Sequence, residues 1–257
     1  MVLPAPEQVF IDSDIDPGRI AAGVVLFPGT RLHGPRTYLA AGAQVGTEGP
    51  ATLRDAVFGP GASIKSGYVE GSVLLRDAAL GASAHVRPGT LLEEGASTGH
   101  CVGLKHTVLL SFVTLGSLIN FCDVLMAGGS SRADHSEVGS GFIHFNFTPW
   151  GKSGDKATPS LVGDAVNGVF LDRPRIFLGG SGGLVGPGRV GYGSVAAAGQ
   201  VVRRDVPDGH LVLEAPAALS KPMRQQARRA GPVVERNAAY MGELAALRAW
   251  YREVRDA

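Results

Sequence analysis

Cysteine is nearly missing: Cys101 and Cys122 are the two in 257 residues. Two thiols build no disulfide framework, and their separation matches no metal-ligand spacing, so a reducing compartment is expected. An excess of one charge is also missing. Lys and Arg number 24 against 23 Asp and Glu, for a formal net charge of +1. Bulk charge therefore suggests no polyanionic partner, and no nucleic acid is expected. No apolar run is long enough to span a bilayer. The N-terminal MVLPAPEQVFIDSDIDPG has no charged head followed by an apolar stretch, so no secretory leader is read there. A soluble cytoplasmic protein without a membrane partner is the expectation.

Glycine is what the chain has in excess, with 37 Gly beside 16 Pro. That is about double the usual glycine share of ~7%. No collagen-like triplet accompanies it, so the excess points to a turn-dense β protein.

The aliphatic residues fall on a beat of six, with small or turn-forming residues after each. From Leu80 the sequence reads LGASAH-VRPGTL-LEEGAS-TGHCVG-LKHTVL-L, with Leu80, Val86, Leu92, Thr98, Leu104 and Leu110 at the head of each group. The same beat carries Ile20, Leu26, Leu32 and Tyr38, resumes at Val57, and returns as Leu184, Val190, Ala196 and Val202. One aliphatic residue in six, followed by small residues, cannot form an amphipathic helix of period 3.6. It suits short strands joined by corners, three to a coil, with the aliphatic side chains stacked inward as coils pile up. The fold class expected is all-β: a left-handed parallel β-helix, or hexapeptide-repeat solenoid, over residues 1–206. Residues 207–257 are expected to form a helical extension. There Ser220-Lys221-Pro222 suits a helix start, and Gly231-Pro232 a break. Beyond it Tyr240, Leu244, Leu247, Tyr251 and Val254 make one apolar stripe.

Coil length converts spacing into contact. With about eighteen residues per coil, positions eighteen apart stack on one face. Arg87 and Lys105 are so related, each just after an inward aliphatic, and Asp123 follows at the same interval. Two stacked outward cations form a ready anion site.

The stretch HVRPGTLLEEGASTGHCVGLK resembles the C-terminal acetyltransferase half of the bifunctional bacterial UDP-N-acetylglucosamine pyrophosphorylase/glucosamine-1-phosphate N-acetyltransferase family. The resemblance continues through VGSGFIHFNF, LVGD and FLGGSGGLVGPGRVGYGSVAAAGQVVRRDV. It implies a left-handed β-helix, a homotrimer, and sites between subunits. It also implies that Arg87 and Lys105 grip the phosphate of a sugar phosphate or nucleotide sugar, and that Asn146 contacts the substrate. Several positions depart from the family. Ser117, in GSLINFCD, stands where the general-base histidine belongs. Asn120 replaces a tyrosine, Glu137 replaces an asparagine, and Lys152 or Lys156 replaces a downstream lysine. The nucleotidyltransferase half has no counterpart, so pyrophosphorylase activity is not expected.

With Ser117 unable to act as a base alone, the nearest histidines are the candidates. His135 lies two residues from Glu137, which could orient it. His144 shares strand parity with Asn146. Phe142, Phe145, Phe147 and Trp150 are read as filling a subunit interface. Acetyl-CoA would occupy a groove between coils at Ser140, Gly180 and Ala198. His85, His100, His106, His135 and His144 could supply zinc ligands, but the closely spaced pair of a β-helix hydratase is missing, and no metal is expected. The reading is therefore a CoA-dependent acyltransferase acting on an amino sugar phosphate. The alternative is a non-catalytic trimeric scaffold or sugar-nucleotide binder that has lost the base.

Overall fold

The computed structural model describes residues 1–146, 159–213 and 230–255, and within these the chain is a parallel β-solenoid closed by a helix. Lys156, Trp150, Phe147, Lys152 and the helix start at Ser220 lie outside the described residues.

Three faces make the prism. The first is one ten-stranded parallel sheet from Val25–Leu26 to Leu211–Val212. The other two merge into a sixteen-stranded sheet. They merge because Gly103–Leu109 and Asn120–Met126 run as strand through the corner between the second and third faces. Since Leu211–Val212 pairs with Val195–Ala196, the coils continue past residue 206.

The beat of six supplies the interior. Val69, Val86, Leu104, Phe121, His144, Leu184 and Val202 stack along the second face, and all are buried. Leu74, Leu92, Leu109, Met126, Val162 and Val190 do the same on the third. Burying one such aliphatic side chain contributes roughly 1.5–3 kcal/mol, and one per face per coil is what the beat encodes.

Three positions of the beat shift by one. Tyr38 and Val57 point outward while Leu39 and Phe58 take the interior positions. Leu92 pairs with Leu109 rather than Leu110, which stays buried at the next corner. The same shortened coil pairs Lys105 with Cys122, so Asp123 does not continue the column of Arg87 and Lys105. The cause lies at the corner, where His106 and Asp123 each turn the chain alone.

A short helix, α1 (Ala165–Gly168), is capped by the Asp164 carboxylate, which accepts from Asn167 N at 2.7 Å. The long helix, α2 (Ala230–Trp250), contains Gly231-Pro232 in its first turn instead of being broken there. A proline is tolerated in that turn because the N–H it lacks would have no helical partner. Helix α2 lies across the third face. The outward residues Val108, Leu125 and Leu161 of that face are accordingly buried. Of the expected stripe, Tyr240 and Leu247 are buried, Leu244 and Tyr251 half-buried, and Val254 exposed. Polar ties flank the apolar contact. Arg236 bridges to Asp205 at 2.9 Å, and Ala165 N donates to the Glu243 carboxylate at 2.9 Å. The Tyr251 hydroxyl donates to buried Glu93, and Arg255 pairs with Glu94. Burial pushes the Glu93 carboxyl above its ordinary range against the pull of Tyr251, Ser111 and Arg255. No helix among the described residues is long and apolar enough to cross a membrane.

Candidate active site

The second face carries the anion-binding candidates. Val86 pairs with Leu104, so the next outward residues, Arg87 and Lys105, lie one above the other. Cys122 follows below, and Arg87 Nη2 donates to its Sγ at 3.4 Å. Glu70 stands one coil above Arg87 and accepts from the Tyr68 hydroxyl at 3.0 Å. Asn120 projects from the same face beneath Gly103, two residues before Cys122. Arg87, Lys105 and Asn120 are thus brought together. The backbone of Asn146 belongs to the same face through Ile143–Asn146, whereas its side chain lies outside the described residues.

The two histidines expected to act as base go elsewhere. His144 points into the solenoid and is 2% exposed. Its Nε2 meets the Ser160 hydroxyl at 2.8 Å, and its ring sits edge-on to Phe121. Burial lowers its pKa to about 4, outweighing the opposite pull of the Cys122 backbone and the Asp123 charge. Its Nδ1 has no hydrogen-bond partner. A ligand on the outer face cannot reach this ring. His135 does meet Glu137, with Nε2 and Oε2 3.7 Å apart. Glu137, however, belongs to the first face and pairs with Thr114 and Phe177. The loop before it is pinned by Arg175, which holds Asp134 at 2.8 Å and, with Ser130, keeps that carboxyl at about 2. Within one chain, His135 and Glu137 are at a different edge of the prism from Arg87 and Lys105.

The corner between the first and second faces gathers the positions expected for the cofactor. Ser181 N donates to Ser140 O at 2.7 Å and Gly199 N to Gly180 O at 2.8 Å, placing Ser140, Gly180 and Ala198 on successive coils of one edge. Ser117 belongs to the same edge, its N–H donating to Ser140 Oγ at 3.0 Å. The Ser117 hydroxyl meets His100 Nδ1 at 2.7 Å. An imidazole from the preceding coil therefore lies beside the position where the resembled family has its histidine.

The sequence reading missed one arrangement. His106 Nδ1 and Asp123 Oδ1 are 3.0 Å apart at the corner just beyond Lys105 and Cys122. Pairing by eighteen concealed it, because the true separation is one residue shorter.

No family model matches the chain. Curated relatives do. The bifunctional protein GlmU of Clavibacter sepedonicus is 32% identical over 192 residues, covering 75% of this chain and 34% of the relative. GlmU of Kineococcus radiotolerans is 30% identical over 208 residues, 81% of this chain and 37% of the relative. That of Nitratidesulfovibrio vulgaris is 28% identical over 231 residues, 88% and 44% respectively. The chain spans less than half the length of these relatives, and the part it matches is their C-terminal acetyltransferase part. A solved hexapeptide transferase family protein from Anaplasma phagocytophilum covers 94% of this chain and 92% of its own at 13% identity. Its TM-score of 0.18 is too low to bear on fold or function.

Proposed function

We propose that the protein transfers an acyl group from acetyl-CoA to the amine of a phosphorylated or nucleotide-linked amino sugar, working as a homotrimer. The observation that carries this reading is the stacked pair Arg87 and Lys105 on the outer second face, in a chain similar to the acetyltransferase part of GlmU. A guanidinium and an ammonium at one coil spacing hold a phosphate by charge-assisted bonds, each worth about 1.5–3 kcal/mol. Asn120, on the same face beneath Gly103, would meet the sugar. The thioester would lie along the edge of Ser140, Gly180 and Ala198. Chemistry then consists of attack by the amine nitrogen on the thioester carbonyl carbon, with loss of a thiolate.

A second reading is a trimeric sugar-nucleotide binder without turnover, favoured because the resemblance puts Ser117, which cannot act as a base alone, at the family's histidine position. Assay of the purified chain with acetyl-CoA across a panel of amino sugar phosphates separates the two. Acyl transfer with a KM that rises roughly 10–100-fold in Arg87→Met supports the enzyme. Tight sugar phosphate binding with no product in any pairing supports the binder.

A further inference from the structure

We propose that His106, held by Asp123, is the proton acceptor for a ligand anchored on Arg87 and Lys105, an assignment that rests on the acyl-transfer reading above. Along the corner between the second and third faces, Gly71 and Gly89 turn the chain with φ of 51° and 78°. In the next two coils His106 and Asp123 adopt the same left-handed conformation, at φ 46° and 59°. A side-chain-bearing residue there costs about 1–2 kcal/mol that glycine avoids. The corner turns without a side chain in the two coils above, so the fold does not demand an imidazole and a carboxylate here. Side chains at positive φ recur at Asp55 of this same corner and at Ser83, Cys101 and Leu118 of another, so the contact between these two side chains, and not their backbone, sets them apart.

One contact holds the ring, and two neighbours shape its setting. Asp123 Oδ1 takes Nδ1 at 3.0 Å from the coil below. Gly89, in the coil above, leaves room for it, since a Cβ there would stand 2.7 Å from His106 Cδ2. From α2, the buried Tyr240 hydroxyl donates to the His106 carbonyl at 3.2 Å. With Nδ1–H given to the carboxylate, Nε2 keeps its lone pair. The side chain is 51% exposed, so the ring is within reach of a ligand from solvent. The charged and titratable groups around it are Asp123, Lys105, Arg87, Cys122, Glu70 on the far side of Arg87, and Tyr240. The other imidazoles discussed are placed differently. His144 faces inward, His135 pairs with an acid on the first face, and His100 meets a hydroxyl at the opposite edge. Two more imidazoles share the second face: His85 stacks on Tyr68, two residues before Arg87, and His33 meets Asp12 three coils above Arg87. His106 is the imidazole next to Lys105 at the corner.

In the step assigned to it, the amine nitrogen attacks the thioester carbonyl carbon, so that a C–N bond forms and the C–S bond breaks. The amine proton passes to His106 Nε2 and then to the leaving thiolate, which returns the ring to neutrality. Asp123 is a positioning residue, orienting the ring and stabilising the transient imidazolium.

The test pairs kinetics with a direct reading of the ring. His106→Asn suits the left-handed backbone. It should unfold at the wild-type temperature, lower kcat roughly 100-fold or more, and abolish the acidic limb of the kcat pH profile. Its KM for the sugar phosphate should stay within about threefold, unlike that of Arg87→Met. Asp123→Asn should lower kcat less, with partial recovery in Asp123→Glu. Should His106→Asn fail to fold, His106→Gln takes its place. Independently, the His106 Cε1–H resonance should move on titration with glucosamine 1-phosphate, and not in Arg87→Met. A folded variant with kcat within about threefold of wild type overturns the assignment. So does an unmoved resonance at saturating ligand, whatever the activity. A moving resonance in a protein that transfers no acyl group overturns the acyl-transfer reading instead and leaves His106 in contact with the bound anion.

Discussion

At the edge between the first and second faces, Ser83, Cys101, Leu118 and Ser181 turn the chain with positive φ, and the glycines beside them touch the next coil. A Cβ on Gly139 would lie 2.4 Å from Gly180 N, and one on Gly99 would lie 2.5 Å from Ser117 Oγ. At the edge between the second and third faces, Arg87, Lys105, His106 and Asp123 project from the coil, Arg87 donating to Cys122 and His106 meeting Asp123. The same corner conformation thus serves two ends. One edge is drawn tight, so that backbone meets backbone, and offers a ligand hydroxyls and peptide groups. The other is opened by side chains and offers charge. An acyl thioester and a phosphate differ in the same respect, and the face between the two edges is three residues wide, about 10 Å at strand spacing.

Substitution should break the two edges in different ways. The largest effect expected is from Gly139→Val. Its Cβ meets Gly180 backbone that cannot rotate away, so the destabilisation should reach about 3 kcal/mol or more in chemical unfolding. Tolerance of valine there would show that the tight edge is not tight. Next comes acid sensitivity from the ladder between the edges. His144 is held neutral with a pKa of about 4, against 6.5 for a free histidine. The unfolded chain therefore binds a proton that the folded chain refuses. Stability is full above about pH 6.5 and falls as pH drops towards 4, by about 3 kcal/mol at most. Urea unfolding across that range should show the loss, and His144→Leu should flatten it. The smallest effect on stability is expected at the open edge. Gly89→Ala should cost about 1–2 kcal/mol for its positive φ, yet displace the His106 ring and reduce kcat far more than that penalty implies. Equal losses in stability and turnover would make the two edges equivalent.

Much of the solenoid was legible because one inward side chain per face leaves a period in the sequence that nothing else mimics. Counting by fixed intervals through Val86, Leu104 and the run from Leu184 to Val202 finds the interior directly. The cation pair was legible for the same reason, since its coil keeps eighteen residues. The dyad was not. Had the next coil also been eighteen long, Lys105 would stand over Asp123 and His106 over Val124. Shortening it by one moves the carboxylate under the imidazole, and a sequence does not announce a corner made by a single residue. His144 was misplaced for a related reason. Alternation shows which residues share a side of a strand, but not which side is the interior, and in IHFN the polar residue took the aliphatic ladder position between Phe121 and Leu184. Ser140, Gly180 and Ala198, expected in a groove between coils, lie on successive turns of one edge, which only the coil stacking reveals.

Helix α2 has a consequence for how the molecule comes apart. A solenoid is held by contacts between adjacent turns, so its stability is nearly a sum of neighbour terms and it can melt from any weak turn outward. A helix of 21 residues is about 31 Å long, the height of some six turns. It is fastened near Asp205 at one end and at Glu93 and Glu94 at the other. No turn between those points can open without releasing the strap or carrying it along. A one-dimensional stack is thereby made to unfold as a block, and the block contains both edges of the candidate site.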